Sequence, residues 1–147
     1  MAAPTPPPSI PLVRRGEPSD LDAIRTIQKA SPEAAHWDVS EYLHHDLRVA
    51  VHGARIAGFL VTRTLAPGES EILNLAVAPE SRRHGVARAL LAAYLRHVTG
   101  EVYLEVRASN EAAQEFYKSL GFKAVTQRRE YYSSPMETAI VMKFHSC

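Results

Sequence analysis

The stretch NLAVAPESRRHGVARALLAAYL, from Asn74 to Leu95, changes backbone period within a few residues. A small and apolar run, Leu75-Ala76-Val77-Ala78, stops at Pro79, which cannot donate to a strand ladder. From Gly85 onward, Leu90, Leu91, Tyr94, Leu95 and Val98 recur on one face, with Arg88, Arg96 and His97 on the others. That is the period of an amphipathic helix. A helix that starts directly after a loop carries four backbone N–H groups without partners and the positive end of its dipole. Here that end is flanked by Arg82, Arg83 and Arg88, and the preceding strand has no charge from Ile72 to Ala78. Gly85 lets the backbone approach a ligand closely, and Ala87 leaves the next turn free of bulk. Such a junction suits a pyrophosphate, with amides on the oxygens and arginines supplying charge. A solvated basic loop has the same spacing. The Gly-x-Gly-x-x-Gly dinucleotide series and the phosphate-loop Lys-Ser/Thr are both missing.

The rest of the chain sets this junction in a larger pattern. LVRR (Leu12 to Arg15) reads as a short strand, and PSDLDAIRTIQKA (Pro18 to Ala30) as a helix with Leu21, Ile24 and Ile27 in its apolar stripe. Ser19 and Asp22 stand at capping-box spacing for its start, as do Asp38 and Glu41 for a second helix in DVSEYLHHDL. Three strands follow between Arg48 and Pro79, turning at Gly53 and at Pro67-Gly68 as a meander does. Beyond the junction, EVYLEVRA is a strand and SNEAAQEFYKSLGF a short helix closed by Gly121 at its C′ position. FKAVTQRREYY and ETAIVMKFH are two strands around a Ser-Ser-Pro turn. The order β-α-α-β-β-β-α-β-α-β-β combines a meander with a β-α-β step, which requires an α/β (α+β) fold with a mixed sheet and helices on its faces.

A chain of 147 residues suffices for one core, and no repeat or second linker divides it, so a single domain is expected over 12–147. The Pro-rich residues 1–11 read as a flexible tail without the apolar stretch of a secretory signal. The one cysteine, Cys147, has no intramolecular partner, which excludes a disulfide framework. A net charge of +1 demands no polyanion surface, so no direct nucleic acid partner is expected. No apolar run reaches the ~18 residues of a membrane span. His36, His44 and His45 lack an acidic partner at ligand spacing, so no metal is expected. The balance is that of a cytoplasmic protein, expected as a monomer or weak dimer.

The motif RRHGVA (Arg82 to Ala87) resembles the Arg/Gln-x-x-Gly-x-Gly/Ala signature of the GNAT superfamily of N-acetyltransferases, and its setting between a strand ending LAVAP and a long helix is similar too. YLEVRASNEAAQEFYKSLGF (Tyr103 to Phe122) resembles the second half of that family's core. Its Leu-Glu-Val-Arg-x-Ser-Asn pattern, then Tyr and Gly-Phe, is similar to the RimI group of ribosomal-protein-alanine N-acetyltransferases. RREYY and AIVM resemble that group's tail, so the likeness runs from about Leu12 to Phe144. The resemblance implies the GNAT fold, a mixed and mostly antiparallel sheet of about seven strands with helices on both faces. It implies acetyl-CoA as co-substrate and transfer to a protein N-terminal α-amine, an N-terminal Ala of a ribosomal protein above all. Acetylation of a small amine or a lysine, and a non-catalytic CoA-binding module, are the competing expectations.

On the same resemblance, Leu75, Ala76 and Val77 would run beside the pantetheine arm, with the Val77 amide donating to the thioester carbonyl. Arg82, Arg83, His84, Gly85, Val86, Ala87 and Arg88 would wrap the pyrophosphate. Asn110 would reach the pantetheine; Asn is also a favoured helix N-cap. Glu105 would be the general base, usually through water. By alternation alone, Tyr103, Glu105 and Arg107 share one side of their strand, which is either a solvent face or a cleft. Tyr117, seven residues after Asn110, would be the general acid for the departing thiolate; from the residues alone, core packing beside Phe116 is the favoured reading. Trp37 lines a peptide groove or anchors the core, Tyr131 and Tyr132 stand where the family keeps a substrate-facing loop, and Glu130 receives a basic peptide or belongs to a solvated face. Two departures fall on the acceptor side: YYSSPMETAIVM is short, with Thr138 where the group often has Asp, and AAHWDVS differs from the usual Pro-Trp-Ser opening.

Overall fold

The computed structural model describes residues 10–146 without 33, 134 and 135, and leaves the side chains of 130–136 undescribed. The proposed tail therefore lies largely outside the described residues, as do the Ser-Ser-Pro turn and the side chains of Glu130, Tyr131 and Tyr132.

Seven strands form one sheet: β1 (Leu12–Arg15), β2 (Asp46–His52), β3 (Arg55–Ala66), β4 (Glu69–Val77), β5 (Gly100–Arg107), β6 (Lys123–Ser133) and β7 (Met136–Ser146), in the order β1-β2-β3-β4-β5-β7-β6. Every neighbouring pair is antiparallel except β4 and β5, joined in parallel by the crossover through α2 (Val86–Leu95). The remaining helices are α1 (Leu21–Lys29) and α3 (Glu111–Ser119). The mixed, mostly antiparallel sheet of the sequence reading is thus the observed one.

Two apolar cores lie on the two faces of this sheet. One gathers Leu90, Leu91 and Tyr94 of α2 with Leu60, Ile72, Val102, Leu104, Val106, Phe122 and Met142, and α3 lays Phe116 and Tyr117 against it. The other gathers Ile24 and Ile27 of α1 with Tyr42, Val49, Phe59, Val61, Ala76 and Ala78. Alternation along β5 sends Val102, Leu104 and Val106 to the α2 face, so Glu105 lies on the α1 face. Gly58 on β3 allows α2 to start close to the sheet: a Cβ there would stand 2.9 Å from both the Ala76 carbonyl oxygen and Val86 Cγ1.

Three local expectations need correction. The first helix begins with a 3₁₀ turn at Pro18–Asp20, and its cap pair is Glu17 and Asp20 rather than Ser19 and Asp22. Asp20 is drawn there because Arg14 holds both its oxygens, at 2.8 and 2.9 Å, while the Glu17 N–H donates to it at 2.8 Å. The second helix is only a 3₁₀ segment, Val39–His44, in which Asp38 accepts from Ser40 N–H rather than pairing with Glu41. α2 stops at Leu95, short of Val98, although Val98 still packs on the core.

Candidate active site

β4 and β5 pair for only three register positions, Glu69 with Glu101, Ser70 with Val102 and Glu71 with Tyr103. The β3–β4 register slips at Val61/Thr62, leaving Leu73 of β4 as an extra residue. Such a bulge bends and twists its strand, and here it carries the C-terminal half of β4 away from β5. Past the bulge, β4 has a ladder partner on one side only.

The register decides which amides face the gap. Ala78 N–H donates to the Ala57 carbonyl at 2.7 Å, so this position bonds toward β3. Residues one position away in an antiparallel ladder point their N–H and C=O groups outward. With Phe59 opposite Ala76, Leu60 opposite Leu75 and Gly58 opposite Val77, the Ala76 amide faces β3 and those of Leu75 and Val77 face the gap. Side chains divide likewise: Leu75 and Val77 lie on the α2 face, Ala76 on the α1 face.

At the end of β4 the chain passes through a 3₁₀ turn at Pro79–Ser81 into the basic loop. Arg83 has φ 66° and Gly85 φ 76°, both left-handed, and no side chain caps α2. The helical ladder opens with Ala89 N–H on the Gly85 carbonyl at 2.9 Å, so the N–H groups of Val86, Ala87 and Arg88 point out of the helix end. The space beside Gly85 is open: a Cβ there would meet nothing within 4 Å among the described residues. Glycine is required by its φ, not by crowding within the chain. Arg83 and His84 are exposed, and the His84 ring lies 6.2 Å from that of His52. Two arginines turn elsewhere. Arg82 donates to the Ala30 carbonyl at 3.2 Å, toward the end of α1; Arg88 donates to Ser119 Oγ at 3.2 Å and covers the Phe116 ring on α3.

Across the gap, Glu105 accepts from Arg128 Nη1 at 2.5 Å, with its side chain 18% exposed, so the carboxylate is sheltered yet reachable. Asn110 is the N-cap of α3, its Oδ1 accepting from Ala113 N–H at 3.1 Å. Gln114 donates to the carbonyls of Arg107 and Ala108, at 3.2 and 2.9 Å, and fastens α3 to the end of β5. Tyr117 sits in a ring chain, 5.3 Å from Phe116 and 5.5 Å from Phe122 by centroids. Glu105 and Tyr117 therefore flank the sheet from opposite faces.

Some contributors carry no local signature in the sequence. Glu137 accepts from Ser109 N–H at 2.6 Å and from Arg107 at 3.3 Å, pinning the loop between β5 and α3. Those bonds from Ser109, then Arg107, hold its carboxyl below the usual carboxylate range. On the α1 face, Asn74 joins Gln28 and Tyr42 in a buried polar network; burial pushes the Tyr42 phenol up, keeping it a neutral donor. Trp37 is exposed, which rules out the core-anchor alternative. Among the described residues no three His, Cys, Asp or Glu side chains converge on a possible metal site. A groove of about 740 Å³ lies elsewhere, between β1 and α2, lined by Leu12, Arg15, Arg48, Ala93 and Arg96.

The split parallel strand pair opens a gap that leads to the uncapped start of α2. The acetyltransferase (GNAT) family profile matches residues 19–122. The [ribosomal protein bS18]-alanine N-acetyltransferase of Escherichia coli K12 is 37% identical over 107 residues, 69% of this chain and 70% of the relative. The N-alpha-acetyltransferase RimI of Mycobacterium tuberculosis is 39% identical over 100 residues, 62% of this chain and 63% of the relative. The crystal structure of the Escherichia coli ribosomal-protein-S18-alanine N-acetyltransferase superposes with a TM-score of 0.79 at 30% identity, covering 94% of this chain and 96% of that one. The chain belongs to the acetyltransferase (GNAT) family.

Proposed function

We propose that this protein moves an acetyl group from acetyl-CoA to the α-amine of a protein N-terminus, and that the acceptor is the N-terminal alanine of ribosomal protein bS18. One observation carries the donor side: the gap between β4 and β5 exposes the Val77 amide and leads directly to the open helix start at Gly85. The residues fit acetyl-CoA. The outward N–H groups of Val86, Ala87 and Arg88, with the Arg83 side chain, hold the diphosphate. Open space beside Gly85 admits it without a clash. The Leu75 and Val77 side chains form the apolar wall along the pantetheine arm, and Asn110 stands at the start of α3 beside it.

Acetyl-CoA supplies an acyl group activated as a thioester. The chain supplies position and proton movement. Val77 N–H donates to the acyl carbonyl oxygen, where negative charge grows as the amine attacks. Glu105 takes the amine proton, directly or through one water, and Arg128 fixes the carboxylate that does so. Tyr117, on the opposite face, donates its phenolic proton to the sulfur that leaves.

The magnitude favours an α-amine. With a pKa of ~7.8 roughly a tenth is neutral at pH 7, whereas a lysine at ~10.4 is neutral only about once in a few thousand. A single carboxylate at the site matches the easier proton. The bS18 acceptor rests on the Escherichia coli relative and the Escherichia coli crystal structure named above, and a ribosomal acceptor of that kind would place the work in the cytoplasm.

The test offers acetyl-CoA with hexapeptides of varied first residue, including the bS18 N-terminus, alongside lysine peptides and polyamines. Label on the α-amine of Ala-starting peptides is the expected result. Label on lysine or polyamine alone rejects the acceptor; no transfer to any amine, with acetyl-CoA still bound, makes the protein a CoA-binding module.

A further inference from the structure

The face of β4 that packs on α1 is apolar at Ala76 and Ala78 and across the ladder at Phe59 and Val61. Asn74 interrupts it while only 5% exposed, beside Gln28 at 7% and Tyr42 at 0%. Polar groups this deep cost stability unless each finds a partner. Here each does. Asn74 Nδ2 has three acceptors in range: the Ala35 carbonyl at 2.8 Å, Tyr42 Oη at 3.0 Å and Gln28 Oε1 at 3.2 Å. Tyr42 in turn donates to Gln28 Oε1, and Gln28 Nε2 donates to the Trp37 carbonyl at 2.7 Å.

The other end of the same side chain touches the donor half. Asn74 Oδ1 accepts the Leu75 N–H at 3.0 Å, one of the two amides that the register turns into the gap. Asn74 and Glu105 also lie on the same sheet face, on the two strands that border the gap. One buried amide thus occupies a donor-side N–H and holds the Ala35–Trp37 backbone over the acceptor-side face.

We propose that Asn74 is a positioning residue for the acceptor side: its Nδ2, with Gln28 and Tyr42, fixes the Ala35–Trp37 backbone, while its Oδ1 keeps the Leu75 amide engaged within the chain. Its kinetic consequence rests on the acetyl-transfer reading above; its structural consequence does not.

The experiment pairs amide hydrogen exchange with steady-state kinetics for the full chain, Asn74→Ala and Tyr42→Phe. In Asn74→Ala the Leu75 amide exchanges about tenfold or more faster, and so does that of Trp37, whose backbone bonds the Tyr42 hydroxyl, while the Leu104 amide in the β5–β7 ladder keeps its rate. Tyr42→Phe loosens Trp37 but leaves Leu75 protected, because Asn74 Oδ1 stays in place. The acceptor KM rises ~10-fold in Asn74→Ala and ~3-fold in Tyr42→Phe, with the acetyl-CoA Kd within about twofold. Unchanged exchange at both Leu75 and Trp37 overturns the proposal, as does an equal rise in acceptor KM and acetyl-CoA Kd, the signature of mere loss of packing. Should Asn74→Ala fail to fold, Tyr42→Phe decides alone: no loosening of the Trp37 amide overturns the proposal. If the wild type acetylates no amine, the functional reading falls and the exchange data still decide the network.

Discussion

Replacing Gly85 by Asp separates the anion site from the fold. Gly85 sits at φ 76° with nothing within 4 Å of an added Cβ, so the substitution clashes with no described atom. Its internal cost is the left-handed backbone, roughly 1 kcal/mol for a residue with a Cβ and less for Asp, which tolerates that region. For a chain of this size, ~1 kcal/mol lowers Tm by about 3 °C. The effect on binding is larger. A carboxylate ~5 Å from a phosphate charge, at an effective dielectric of ~20 to ~80, opposes binding by roughly 1–3 kcal/mol. That weakens acetyl-CoA by ~5-fold to ~150-fold. Gly85→Ala supplies the strain without the charge, so the difference between the two variants isolates electrostatics. Calorimetry at low and high salt is the assay, with the difference shrinking as salt screens it. Equal acetyl-CoA affinities for the Ala and Asp variants would refute an anion beside this helix start.

Three further outcomes follow from the geometry. Glu105→Gln keeps the shape beside Arg128 but removes the base, so kcat falls about 100-fold or more while the acetyl-CoA Kd stays within about twofold; wild-type turnover at pH 7 would end the assignment. Tyr117→Phe preserves the ring contacts with Phe116 and Phe122 while removing the phenolic proton, so kcat falls ~100-fold, and a kcat within a factor of about two removes Tyr117 as the acid. Asp20 has its carboxyl held below the ordinary range by the hydrogen bond from Arg14. The unfolded chain then binds the proton more readily, so this stabilisation is full above the usual pKa of ~3.9 and is lost as pH falls through the depressed folded value. Asp20→Asn therefore flattens the fall of Tm below about pH 4, and an unaltered acid limb contradicts the assignment.

Local pattern carried the architecture because its signals lie within a few residues of one another. Alternation of Val102, Leu104 and Val106 against Tyr103, Glu105 and Arg107 gave β5 and its faces. Asn110 and Gly121 bracketed α3, and Gly53 and Pro67-Gly68 marked the meander turns. The capping error at Ser19 arose because Arg14, six positions away, recruits Asp20 into an ion pair that spacing rules do not weigh. Contacts across the sheet were illegible for the same reason. Asn74 meets Gln28 over 46 positions, Arg128 meets Glu105 over 23, and Arg82 reaches Ala30 over 52. A single sequence fixes none of these partners, the carbonyl that Arg82 meets near the end of α1 included. The strand split was equally hidden, since the bulge at Leu73 exists only in the register with β3.

The central claim is that the gap between β4 and β5 holds the acyl end of acetyl-CoA while the α2 start holds its diphosphate. A crystal structure of the complex tests this most directly. The account predicts the acyl carbonyl oxygen within hydrogen-bond distance of Val77 N–H and diphosphate oxygens on the N–H groups of Val86, Ala87 and Arg88. Acetyl-CoA seated instead in the groove between β1 and α2, with Val77 untouched, would contradict it.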